Sequence, residues 1–193
     1  EWVRGQENDR WKSGRAASID LKKHVPEHLL TPASRDSATQ YLLNTQDQRS
    51  EADYFAARVC NKAMEWLERN AGEKPFLLWL EMFDPHEPWD APPRFQKMYC
   101  DHLPMERMIF GYGFPGDKLT EEDMEYLRAL YAAEVSFSDE CIGRLLRRVE
   151  ELGIADDTVI IFSSDHGTHL GEHGCIQKTA SALISKVARI PLI

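Results

Sequence analysis

Thr158-Val159-Ile160-Ile161-Phe162-Ser163 runs without a break into Ser164-Asp165-His166-Gly167. The first six residues are β-branched or apolar, as in a strand buried on both faces, and they end on titratable side chains. A second run, Phe76-Leu77-Leu78-Trp79-Leu80-Glu81-Met82, leads likewise into Asp84-Pro85-His86-Glu87-Pro88-Trp89. Each run follows a helical pattern. Ser50-Glu51-Ala52-Asp53 reads as a capping box opening a helix over 51–70. Phe55, Val59, Ala63, Trp66 and Leu67 keep helical spacing there, and Gly72 and Pro75 stop it. Thr120-Glu121-Glu122-Asp123 opens a longer helix, whose stripe of Met124, Leu127, Tyr131, Val135, Ser138, Ile142, Leu145, Val149 and Leu152 ends at Gly153. Helix, buried strand, helix, buried strand predicts an α/β fold with a mostly parallel sheet covered by helices. In such sheets ligands bind beyond the carboxyl ends of the strands, where clusters 84–90 and 164–178 fall.

The remaining segments carry weaker patterns. Residues 1–50, punctuated by Trp2, Trp11, Pro26 and Pro32, read as loop with short elements, and residues 91–119, rich in Pro and Gly, read mostly as loop. The 193 residues suffice for one domain with a real core. No stretch approaches the roughly 18 apolar residues a membrane helix needs, so no span is expected. A net charge of −9 argues against nucleic-acid binding, which calls for a basic face. Cys60, Cys100, Cys141 and Cys175 form no C-x-x-C pair, so neither a zinc ribbon nor a redox motif is indicated. The chain starts at Glu1 without a signal-peptide pattern and ends in Arg189-Ile190-Pro191-Leu192-Ile193, a run entering a strand; both ends are expected to be cuts through a larger protein.

Chemistry concentrates after the run Thr158–Ser163. His166, His169 and His173 lie within eight residues, beside Asp165, Glu172 and Lys178. A carboxylate and an imidazole adjacent at a strand end, with Gly167 permitting a turn, can bind one divalent metal. A carboxylate-rich site with one imidazole suits Ca²⁺, Mg²⁺ or Mn²⁺, with Zn²⁺ as an alternative. On spacing alone, an Asp capping a helix beside an unrelated His fits as well. His169 and His173, four apart, would share a helix face as a zinc pair, but Gly167, Gly171 and Gly174 favour a loop. Lys178 is the cation of that loop and could hold a tetrahedral anion, although a solvated surface lysine is the commoner fate. His86, flanked by Pro85 and Pro88, could donate a proton to a leaving oxygen, and a structural loop histidine is the plainer alternative.

Together these segments resemble the sulfatase family of the alkaline phosphatase superfamily. Trp2-Val3-Arg4-Gly5-Gln6-Glu7-Asn8-Asp9 resembles the segment after the family's nucleophile region. Residues 76–95 resemble its strand and D-P-H-x-P-W motif with a later Pro-Pro-x-Phe. Residues 131–152 resemble its Y-x-A-x-V-S-x-x-D helix, and residues 163–178 resemble S-D-H-G-x-x-L-G-E-H-G-x-x-x-K. The resemblance implies an alkaline phosphatase-like α/β fold, incomplete here, with residues 1–193 as the central part of one catalytic domain. It implies metal-dependent hydrolysis of sulfate esters, of small molecules or carbohydrates, with calcium as the first candidate metal. Asp165 and His166 would be metal ligands. Lys178 would bind the sulfate or phosphate group, His86 would help bind it and protonate the leaving oxygen, and His173 would line the pocket. The family's nucleophile, a formylglycine made from Cys or Ser in C/S-x-P-x-R, and an upstream Asp-Asp pair are expected outside this chain. Thr31-Pro32-Ala33-Ser34-Arg35 is not that motif: with Pro32 as its proline, Leu30 stands at the nucleophile position and Ser34 where Arg belongs. The chain alone is therefore expected to be inactive. A phosphonate monoester or phosphodiester hydrolase of the same superfamily shares these motifs. A non-catalytic remnant and a zinc-binding module are the readings from other classes.

Overall fold

The structure is a computed structural model that describes residues 19–111, 114, 116–178 and 183–193. The motif at residues 2–9 lies outside them. Within them the chain is mostly helical: α1 (Pro32–Asn44), α2 (Phe55–Asn70), α3 (Pro93–Tyr99), α4 (Glu121–Glu151) and a short α5 (Ser185–Ala188), with β1 (His169–Leu170) and β2 (Ile176–Gln177) between the last two. The strands pair antiparallel, His169 opposite Gln177 and Leu170 opposite Ile176.

The helix starts follow their capping chemistry. At α4 the Thr120 hydroxyl accepts from the Asp123 amide at 3.0 Å, and the Asp123 carboxylate accepts from the Thr120 amide at 2.8 Å. Asp53 likewise accepts from the Ser50 amide at 2.7 Å, but the turn it closes is a 3-10 turn over Glu51–Asp53, and α2 begins two residues later. The reading of residues 1–50 as loop is corrected by α1. Thr31 caps it, Pro32 takes its first position, and the Ser34 hydroxyl donates to the Leu29 carbonyl at 2.9 Å. The Thr31–Arg35 segment set aside as a nucleophile motif is thus a helix start.

Helix α4 is the spine. Ala133, Phe137 and Cys141 on it meet Ala56, Ala57 and Cys60 of α2 and Phe95 of α3 in one cluster. Leu127 and Leu130 face a larger one with Val25, Leu29, Tyr41, Trp89, Met108, Ile109 and Phe110. The buried stripe is rotated from the one read in the sequence: Val135 is exposed, while Glu134 and Phe137 are buried. The polar Glu134 concealed the true face from a pattern built on apolar residues.

The mostly parallel sheet expected from the sequence is not formed among the described residues. Residues 76–82 form neither helix, turn nor ladder, and 159–163 make only an isolated antiparallel bridge, Ser163 to Leu192. Leu78 and Phe76 turn toward the cluster of Leu67, Val149 and Ile154, while Leu77 and Trp79 are 86% and 82% exposed. This alternation is that of a strand with one face covered by helices and the other bare. A parallel strand needs neighbouring backbone along its edges. The described residues do not supply it, so residues 76–82 keep one covered face without a sheet, and Val159 to Phe162 are exposed throughout.

The loop between residues 76–82 and α3 is held by buried polar contacts. The Trp89 indole N–H donates to the Pro85 carbonyl at 2.9 Å, and its ring, fully buried, stands edge-on to Tyr131 with centroids 5.4 Å apart. Asp90 is buried; its carboxylate accepts from Arg107 Nε at 2.8 Å and from the Tyr41 hydroxyl at 3.1 Å, and its amide donates to Glu134 Oε2 at 3.0 Å. Burial, and the nearby charges of Asp84 and Asp90, push the Glu134 carboxyl well above its ordinary range.

Two outcomes follow from this packing. Trp89→Ala should destabilise the protein by about 3–5 kcal/mol, read as a shift of the urea midpoint, because it empties a fully enclosed site and frees the loop. Glu134→Gln tests the buried carboxyl. A folded-state value raised above the ordinary 4.5 means that Glu134 supports folding below that pH and progressively less as pH rises above it. The stability difference between wild type and Glu134→Gln should therefore drift toward the variant as pH rises from 4.5; a difference that stays flat with pH would show that Glu134 is ionised in the folded protein.

Candidate functional site

The loop anchored by Trp89 and Asp90 presents His86. Its ring is tilted against Phe83 with centroids 5.2 Å apart, and Nδ1 lies 2.7 Å from the Glu87 carbonyl. A carbonyl can only accept, so Nδ1 carries the proton and donates it there. The other nitrogen, Nε2, receives a hydrogen bond from the Lys178 ammonium, a residue 92 positions further along the chain. An ammonium has no lone pair, so it is the donor and His86 is the neutral Nδ1–H form. Beneath the pair lies Glu87, its side chain 2% exposed, with Oε1 3.6 Å from Lys178 Nζ and Oε2 3.7 Å from His86 Nδ1.

Lys178 reaches this position from the end of the small hairpin. Gln177 adopts a left-handed φ of 57° and its side-chain amide donates to the Gly111 carbonyl at 2.7 Å. The hairpin itself is fixed to α4, where Arg128 Nε donates to the Leu170 carbonyl at 2.9 Å. Gly171, at φ 107°, lies so close to α4 that a Cβ there would fall 2.6 Å from Met124 Cε. Glu172 is used locally: its carboxylate accepts from the Leu170 amide at 2.7 Å, which lowers its proton affinity.

Asp165 and His166 sit at the end of the other extended run. The His166 amide donates to Asp165 Oδ1 at 2.8 Å, and His166 Nδ1 donates to the Gly167 carbonyl at 2.8 Å, which leaves the lone pair on Nε2. That nitrogen is 3.4 Å from Asp165 Oδ2. A carboxylate oxygen and an unprotonated imidazole nitrogen at this separation, with the ring oriented by a carbonyl on its far side, fit two adjacent positions around one divalent cation. They are two donors only, and among the described residues no set of three or more His, Cys, Asp or Glu side chains is placed to hold a metal. Gly167 is needed for a different reason than expected. A Cβ there would meet the Lys186 carbonyl oxygen at 2.1 Å, because its amide donates to the Val187 carbonyl at 2.8 Å and the two backbones touch.

The remaining candidates separate. His173 has a left-handed φ of 55° in a 3-10 turn over Glu172–Gly174 and is exposed, whereas His169 is fully buried in β1. The segment is a turn and hairpin rather than a helix, and the two histidines share no face. His102 is an exposed partner of Asp101 at 3.0 Å. All four cysteines are free thiols; burial pushes Cys60 up to about 11 and Cys141 up to about 12, so both are inert thiols of the core. Sequence reasoning missed Glu87. In Asp84-Pro85-His86-Glu87-Pro88 an acidic residue of a loop reads as solvated, and its neighbours in sequence give no sign of its burial.

Comparison with known proteins converges on one family. The family model described as sulfatase matches residues 19–193. The chain is 30% identical over 171 residues to the multifunctional alkaline phosphatase superfamily protein PehA of Trinickia caryophylli, covering 75% of this chain and 32% of that protein. It is 30% identical over 162 residues to the choline-sulfatase of Rhizobium meliloti, with 74% and 31% covered, and 32% identical over 144 residues to human iduronate 2-sulfatase, with 58% and 26% covered. The crystal structure of the phosphonate monoester hydrolase of Agrobacterium radiobacter superposes with a TM-score of 0.61 at 21% identity, over 75% of this chain and 33% of that one. The fold is therefore alkaline phosphatase-like, and the chain spans about a third of the length of the curated relatives. With the match running from residue 19 to residue 193, the chain belongs to the sulfatase family.

Proposed function

We propose that the whole protein hydrolyses sulfate esters in a metal-dependent reaction and that this segment supplies its anion-holding and proton-donating groups. The observation that carries this reading is the hydrogen bond between Lys178 and His86, which brings together a fixed cation and an imidazole from opposite ends of the chain's two polar clusters. Lys178 directs one N–H to His86 and has two more for the oxygens of a tetrahedral anion. The His86 ring is held by the Glu87 carbonyl on its Nδ1 side, so Nε2 is the nitrogen that can take a proton and pass it to the ester oxygen as that oxygen departs. Asp165 and His166 would hold a divalent cation, calcium first, which supplies charge neutralisation at the anionic group when bound. The nucleophile, a formylglycine, is proposed to come from a part of the protein outside these residues, and His173 to line the pocket. No helix of the described residues is long and apolar enough to cross a membrane.

A phosphonate monoester or phosphodiester hydrolase is the second reading, favoured by the likeness to the Agrobacterium enzyme's fold. Lysine and imidazole recognise a tetrahedral anion without separating sulfur from phosphorus. Rates of the whole protein on an aryl sulfate and on the matching phenyl phosphonate decide between them. A sulfatase should prefer the former, and Lys178→Ala should lower kcat/KM by roughly 10²–10³, the loss typical of one charge-stabilising donor. His86→Ala should lower kcat by roughly 10²–10⁴, most strongly for esters with poor leaving groups. Residues 1–193 alone should show no turnover above a Lys178→Ala control. Turnover by this segment, or full activity of both variants, would overturn the reading.

A further inference from the structure

Glu87 is the one strongly buried charged group beside His86 and Lys178 to which no role has been given. It is 1% exposed, and its Oε1 has no hydrogen-bond partner among the described residues. A buried carboxylate left without a hydrogen bond is costly unless a counter-charge lies close. Here that charge is the Lys178 ammonium at 3.6 Å, too long for a hydrogen bond and short enough for an ion pair. The carboxylate cannot move away to find another partner. Its backbone lies between His86 and Pro88, and the next two residues are fixed by the Trp89 indole and by the Asp90 contacts to Arg107, Tyr41 and Glu134.

We propose that Glu87 is a positioning residue, whose buried carboxylate draws the Lys178 ammonium across to His86 and serves as the resident anion with which an incoming tetrahedral anion competes. The positioning part stands on geometry alone; the competition part rests on the anion site assigned to Lys178 above. Replacing Glu87 by the isosteric, uncharged Gln keeps the shape and removes the charge. Lys178 then loses the attraction that holds it inward, and an anion bound to it no longer faces a like charge behind the ammonium.

The test is amine labelling of the whole protein with an acylating reagent, with the rate at Lys178 read by mass spectrometry against the exposed Lys97 and Lys118 as internal references. Increasing inorganic sulfate is then added as a protecting anion. In Glu87→Gln, Lys178 should label about fivefold faster than in wild type while the references are unchanged, and sulfate should protect it at a concentration on the order of tenfold lower. Glu87→Asp, which keeps the charge on a shorter arm, should remain close to wild type in both readouts and serves as the deciding variant if the Gln form unfolds and all three lysines accelerate together. An unchanged Lys178 rate in Glu87→Gln, or Glu87→Asp labelling at Lys178 as a charge-free site would, overturns the proposal. Faster labelling of Lys178 with no protection by sulfate in any form keeps Glu87 as the positioning residue and removes the anion site instead.

Discussion

The ion pair between Asp90 and Arg107 is the constraint on which the loop carrying His86 and Glu87 depends. Asp90 is buried, and burial raises its carboxyl against the opposing pull of the guanidinium. Taking this charge out of water is tolerable only because Arg107 and the Tyr41 hydroxyl meet it, and the loss of either would leave a desolvated anion in the core. The contact links α1, through Tyr41 and Thr45, to the segment before α4, and it fixes the end of the loop that carries His86 and Glu87. Glu134 completes the arrangement from the spine helix by accepting a hydrogen bond from the Asp90 amide, its carboxyl pushed well above the ordinary range by burial. Three carboxyl groups, Asp84, Asp90 and Glu134, are near enough to perturb one another, with one guanidinium among them, so a proton retained on Glu134 relieves the excess negative charge.

From this anchored loop, the site is assembled by distance rather than by sequence neighbourhood. His86 and Lys178 lie 92 residues apart and meet because the 169–177 hairpin is fastened to α4 at Leu170 and to the 111 region through Gln177. The unusual backbone of the hairpin, with left-handed conformations at Gly171, His173, Gly174 and Gln177, makes the sharp turns that aim Lys178 inward. The Asp165–His166 pair is placed by a different contact, the close approach of Gly167 to the backbone of α5. The two halves of the site thus sit on separate supports, and Gly167 and Gly171 answer to specific steric demands there.

The two apolar runs show how side-chain pattern and backbone pairing come apart. Residues 76–82 and 159–162 have the composition of central strands, and alternate residues of the first run do pack on α2 and α4. The other face of that run and the whole of Val159 to Phe162 are exposed, since ladder formation requires adjacent strands and hydrophobic composition cannot substitute for them. The likeness to a solved alkaline phosphatase-type fold covers a third of that structure, so similarity of layout and absence of a sheet among the described residues coexist without conflict.

The sequence by itself determined the start of α4 and the residue types of the two polar clusters. Capping residues act on amides three positions away, and the Asp165-His166-Gly167 and Asp84-Pro85-His86 motifs are contiguous, so both kinds of information are local. The α4 start at Thr120, the stop at Gly153 and the non-helical turn at 171–174 were all legible for that reason. The face that α4 buries was not, because a buried Glu134 is recognisable only once Asp90's amide is seen to need it. Only the tertiary structure decided that His86 and Lys178 share a hydrogen bond and that Glu87 lies beneath them. Those relations depend on where separate segments of chain pack, which is settled by burial over the whole molecule and leaves no trace in local spacing.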